Sequence, residues 1–155
     1  MKNLQSFGAL ARAFERSLQR IDADLAVAME KCAVFVELAA KAEIGHYQTE
    51  DMGPFSVWAP LAPSTVAEKK SKGYATDEND NPLLRTGEMR DSISHKALPL
   101  EFTVGSTDEI LVYQELGTSK GIPPRPVLAP ALYRNVPQIQ HEIGKTIEQN
   151  LAGKK

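Results

Sequence analysis

The side chains best suited to catalysis or metal binding in this chain of 155 residues are three histidines, His46, His95 and His141, and a single cysteine, Cys32. A metal site or an activated nucleophile would need such groups at set spacings, as in H-E-x-x-H on one helix face. The histidines instead fall in a linker, a strand and a helix, with no paired spacing. Cys32 has no histidine near it in sequence and sits among apolar helical positions, where a thiol packs as a small hydrophobe. No G-x-S-x-G occurs, and the glycines Gly117 and Gly121 lack the spacing of a phosphate-binding loop. Asp77, Glu78 and Asp80 cluster without the spacing of a calcium loop and read as a solvated turn. A small hydrolase would have to bring His141, Glu142 or that acidic loop into a pocket with perturbed ionisation. The expectation is a non-enzymatic protein with no catalytic residue, cofactor or metal.

What stands out is rigidity in unusual places. W-A-P-L-A-P (58–63) and I-P-P-R-P-V-L-A-P (122–130) put prolines and large apolar groups into loops. Proline lowers the entropy lost when a segment is fixed, which suits a segment that must hold its shape against a partner. Each proline also restricts the residue before it to extended conformations. The run 122–126 therefore redirects the chain at a fixed angle. Trp58 and Arg125 are residue types enriched at interface hot spots. Arg125, pinned between prolines, can offer a bidentate fork to a carboxylate of this or a neighbouring subunit; within the chain, Glu115 is the carboxylate nearest in sequence.

The elements that position these residues follow from periodicity. From Phe7 on, Leu10, Phe14, Leu18, Ile21, Leu25, Ala28, Cys32, Val36 and Ala39 recur at steps of three and four, which predicts one amphipathic helix over 7–43. At 1.5 Å per residue it would run about 55 Å, longer than a compact domain of this size is wide, so part of its stripe needs another partner. Gly45 ends it. Residues 46–93 read as a loop-rich insertion with short helices. Thr65 and Glu68 fit a capping box for one helix, closed by Gly73, with Lys69, Lys70 and Lys72 on a solvated face. Residues 75–82 read as an acidic, turn-rich and mobile loop. Thr86 caps a second short helix that points Met89 and Ile93 inward.

Antiparallel strands are expected over 94–116: a weak one at 94–97, one with Leu100, Phe102 and Val104 inward, and a return strand at 110–116 that is apolar on both faces. A C-terminal helix over 129–151 begins with Pro130 in its first turn, where the missing N–H costs nothing. Pro137 inside it should kink or restart it. The fold class is α+β, a single domain over 1–155 with both long helices packed on a small antiparallel sheet.

The totals agree with a folded, soluble chain: 42% hydrophobic and 25% charged residues, with ordinary glycine and proline content. The formal charge of −2 gives no global field for nucleic acid or an anionic membrane. Residues 113–155 carry six basic residues against Glu115, Glu142 and Glu148, read as a solvated helix and a basic tail. No apolar run approaches the ~20 residues of a membrane span, and the first residues lack the apolar core of a signal peptide.

Five motifs in order carry a resemblance. They are W-A-P-L-x-x-S-T-x-x-x-K from Trp58, L-L-x-T-G-x-M-R-x-S-I from Leu83, V-G-S from Val104, Y-Q-x-L-G-T from Tyr113, and I-P-P-R-P-V-L from Ile122. Together, over 58–132, they resemble the virion-morphogenesis or tail-completion family of tailed bacteriophages, and the related neck proteins of long-tailed phages. The resemblance implies a structural protein that joins head to tail as a ring around the DNA channel, encoded by a phage or prophage. It would be made in the bacterial host cytoplasm and found in the virion. Its implied partners are further copies of itself, head-connector and tail proteins, and non-specifically the DNA in the channel; a membrane is not among them. Carried over by motif, Trp58, Leu61, Thr86, Gly87, Met89 and Ile93 would form the framework, and Glu115, Gly117, Arg125, Pro126 and Leu128 the corner. The candidate interface is Trp58, Leu61, Glu115, Arg125, Pro126 and Leu128. The Pro123-Pro124 doublet and the acidic loop depart from the family pattern. A non-viral protein-interaction adaptor is the alternative, ahead of the small hydrolase.

Overall fold

The computed structural model describes residues 7–74, 76–77 and 80–151. Its elements are α1 (Phe7–Glu43), α2 (Pro63–Ser71), α3 (Glu88–Asp91), β1 (Ile93–Leu98), β2 (Glu101–Ser106), α4 (Glu109–Leu116) and α5 (Leu128–Leu151). The architecture is α+β: two long helices pack with a two-stranded antiparallel sheet whose register runs from Ile93 opposite Ser106 to Leu98 opposite Glu101.

α1 follows the apolar periodicity from Phe7 to Glu43 without interruption. Past its end, Gly45 takes a positive φ of 103° and donates its N–H to Pro82 at 2.9 Å. α5 runs antiparallel along the C-terminal half of α1. Three contacts fix that alignment: Arg134 Nη1 to Glu43 Oε1 at 2.6 Å, Lys31 Nζ to Glu142 Oε1 at 2.9 Å, and Asn150 Nδ2 to Asp24 Oδ2 at 3.0 Å. α5 is continuous through Pro137, so the proline does not restart it.

The core lies where the C-terminal end of α1 meets everything else. Val36, Ala40 and Ile44 pack with Trp58, Met89, Ile93, Leu111, Val127 and Ala131. Burial of such side chains contributes roughly 1.5–3 kcal/mol each for the larger ones, which makes this cluster the main source of stability. Phe102 and Val104 of β2 pack against it as expected. Leu100 does not: it lies in the hairpin turn and is 73% exposed.

The expected return strand at 110–116 is a helix, α4. Its start is written in Asp108, whose side chain accepts the N–H of Ile110 at 2.9 Å, with Glu109 in the first turn. α2 begins at Pro63 after Ala62, and the Thr65 side chain does not cap it; the Thr65 N–H bonds to the Ala62 carbonyl at 2.9 Å. Thr86 does reach the N–H of Glu88, at 3.4 Å, but α3 is one turn long and Ile93 belongs to β1. Met89 and Ile93 are both buried.

Lys69 is no part of a solvated face. It is 2% exposed, and its ammonium donates to the carbonyls of Asp80 at 2.5 Å and Asn81 at 2.6 Å. Asp80, Asn81 and Leu83 all have positive φ, so the lysine holds a stretch of unfavourable backbone in place. Of the acidic loop at 75–82, residues 75, 78 and 79 lie outside the described residues.

Candidate functional site

The prolines of 122–126 form a corner between α4 and α5 that is locked from three sides. Gly117 ends α4 with a φ of 74°, and a Cβ there would stand 2.9 Å from the carbonyl oxygen of Ile122. The chain then closes on itself through Thr118 N–H to the Ile122 carbonyl at 3.1 Å and Arg125 N–H to the Gln114 carbonyl at 2.6 Å. A glycine is required because two backbone segments approach too closely for a side chain.

Glu115 provides the second lock. Its Oε2 accepts the N–H groups of Val127 at 2.7 Å and Leu128 at 3.1 Å, and its Oε1 accepts that of Ala129 at 2.9 Å. These are the unpaired donors at the start of α5, so a carboxylate from the preceding helix caps the following one and complements its dipole.

Arg125 is the third. It is 5% exposed; Nε and Nη2 donate to the Ala59 carbonyl at 3.2 and 2.9 Å, and Nη2 also reaches the Pro60 carbonyl at 3.2 Å. Burial pulls its pKa down, yet a guanidinium retains its charge at neutral pH. The expected carboxylate partner is replaced by backbone carbonyls of this chain, because the 58–62 loop leaves those oxygens otherwise unsatisfied next to the corner. Trp58, 5% exposed, is likewise part of the chain's own core. Among the candidate interface residues, Leu61, Glu115, Pro126 and Leu128 are half-buried.

Both proline-rich loops border one open cleft of about 650 Å³, lined by Leu61, Leu84, Met89, Ile110, Ile122 and Arg125 among others. Its cationic neighbours are already engaged: Arg85 with Glu68 at 3.2 Å, Arg90 with Asp91 at 2.9 Å, Lys69 and Arg125 with backbone carbonyls. Apolar Leu61, Leu84, Met89, Ile110 and Ile122 share the cleft wall with polar Glu88, Asp108 and Gln114.

His46 and His141 are exposed, and Glu142 is paired with Lys31. Cys32 is fully buried, and burial together with the nearby Glu142 charge raises its thiol pKa, which disfavours a thiolate. His95 lies between Glu37 on Nδ1 and Glu30 on Nε2, the latter at 2.9 Å, tying β1 to α1. Among the described residues no group of three or more His, Cys, Asp or Glu could hold a metal ion. None of the described helices is long and apolar enough to cross a membrane.

A second feature lies elsewhere, at the N-terminal half of α1. Beyond the hydrogen bond of Asp24 to α5, the large apolar side chains of the stripe are exposed among the described residues. Phe7 is 91% exposed and Phe14 65%, with Leu10 and Leu18 about half exposed between them. At 1.5 Å per residue, this overhang extends roughly 25 Å.

No family model, curated protein or solved structure matches the chain. The resemblance over 58–132 rests on its motifs.

Proposed function

We propose that the chain is a structural protein of a tailed phage or prophage, acting in head–tail joining or tail completion as one subunit of a ring around the DNA channel. The observation that carries this reading is the apolar overhang of α1. Four large apolar side chains at helical spacing, exposed to water, form a surface that natural chains cover with a partner. A contact between this overhang and a different surface on the next copy is heterologous, and it gives a ring where the repeated rotation closes on itself. The locked corner at 117–129 suits that requirement, because it holds the relative direction of α4 and α5 fixed in every subunit.

The ordered motifs supply the phage assignment, and the protein's place in the virion follows from it. A non-viral adaptor would use the same physics; a gene neighbourhood without capsid, portal and tail genes would favour that alternative. Deletion of the gene from the encoding phage tests the proposal. Filled heads and tails should accumulate unjoined in electron micrographs of the lysate, whereas a normal yield of infectious particles would refute the assignment.

A further inference from the structure

The overhanging half of α1 has a second face. Arg12, Arg16 and Arg20 recur at four-residue steps, so at 100° per residue they form a row roughly 160° around the helix from the stripe of Phe7, Leu10, Phe14 and Leu18. All three are exposed, and none takes part in an ion pair among the described residues. Residues 7–21 hold these three arginines against Glu15 alone, in a chain whose formal charge is −2. The basic row is therefore a local feature that the overall charge conceals.

We infer that this row is a contact for the phosphate backbone of duplex DNA, made without regard to base sequence. The inference rests on the proposed ring for one point: the apolar stripe is taken by a neighbouring subunit, which leaves the opposite face toward whatever passes through. Successive arginines stand about 6 Å apart along the helix axis. Duplex DNA presents a charge about every 1.7 Å of its axis, so each guanidinium meets its own phosphate. Arginine suits the task because its fork of donors matches a phosphate bidentately and it is always charged. Phosphate contacts position a protein on DNA but carry no sequence information, which fits a genome moving past a fixed ring.

An anionic membrane is the other acidic surface that a basic amphipathic helix meets. The charge arrangement argues against it. With the apolar stripe in a bilayer, Glu15 and Asp22, which flank the stripe, would lie at headgroup level, while the arginines would point away into water. Phosphates on one side of the helix and protein on the other satisfy both faces.

The test uses the full-length chain and a fluorescently labelled DNA duplex of arbitrary sequence, with anisotropy read at increasing potassium chloride. The wild-type affinity should fall linearly on logarithmic axes with a slope of about −2.7, three contacts at about −0.9 each. The R12Q/R16Q/R20Q variant should bind at least about tenfold more weakly at low salt and lose most of the slope. Its melting temperature should match the wild type, since these exposed side chains form no ion pair among the described residues. Equal binding by both proteins, no wild-type binding at low salt, or arginine-dependent binding to phosphatidylglycerol vesicles in place of DNA would each overturn the inference. The head–tail reading is judged separately, by particle joining in the deletion mutant. Unjoined particles together with equal DNA binding by both proteins would remove the DNA contact and leave that reading standing.

Discussion

The guanidinium of Arg125 is bonded to the carbonyl of Ala59, 66 positions earlier in the chain, through both Nε and Nη2. One side chain thus joins the two proline-rich loops, and the rigidity of each is conferred on the other. The Arg125→Ala variant leaves the Ala59 and Pro60 carbonyls without their donors in a buried place. It should cost about 3 kcal/mol of unfolding free energy, read by urea denaturation of the isolated chain. Arg125→Lys keeps the charge but not the fork, and should recover only part of the loss. Wild-type stability in the alanine variant would show that the loops are held by something else.

Glu115 acts at the other end of the same corner. The Glu115→Ala variant removes the acceptor of three N–H groups at the start of α5 and should destabilise the chain by about 1–2 kcal/mol. Glu115→Gln keeps an acceptor oxygen but loses the charge facing the helix dipole, so its thermal midpoint should fall between the two. A glutamine variant as unstable as alanine would mean that the charge alone provides the cap.

The sequence displayed the long helices because each carries one regular apolar stripe, whether or not the single chain buries all of it. α1 was legible from Phe7 to Glu43 on that ground. α4 was not, since it buries Leu111 while Ile110, Val112, Tyr113 and Leu116 stay exposed; a run of apolar and β-branched residues without a period reads as a strand. The signal that could have found it is Asp108, a residue type that caps helices. Lys69, Glu115 and Arg125 share a different obstacle. Each is satisfied by backbone groups that the fold brings from 11 to 66 positions away, and nothing in local spacing announces such a partner.

His95 makes the tie between α1 and β1 dependent on pH. With a carboxylate on each ring nitrogen, only the imidazolium can donate to both. Hydrogen bonds to Glu30 and then Glu37 raise its pKa above the ordinary 6.5. A raised value means that the stabilisation is fully present below 6.5 and is lost as pH rises through the folded-state pKa. Glu37 shifts the other way, lowered from 4.5 first by Lys41 and then by His95, so its contribution is lost only as pH falls through its lowered value. Unfolding free energy should therefore decline from slightly acid to slightly alkaline pH in the wild type and stay flatter in His95→Gln. The same decline in both proteins would contradict this assignment.

Lys69 offers a test of the strained turn it holds. Lys69→Met preserves the aliphatic stem but leaves the carbonyls of Asp80 and Asn81 without the ammonium, at a cost of about 2 kcal/mol. Amide hydrogen exchange should speed up at Gly45, whose N–H bonds to Pro82 beside those residues. Unchanged exchange there would show that the turn holds its shape without the lysine.

The central claim is that the exposed stripe of α1 is an assembly surface, and Phe14→Asp addresses it most directly. Phe14 is 65% exposed in the single chain, so a charge there should leave the melting temperature of the purified protein unchanged. In the phage that encodes it, the same substitution should yield filled heads and tails that remain separate in electron micrographs. Particles joined and infectious at the wild-type level, from a Phe14→Asp protein that is folded and present, would contradict the account.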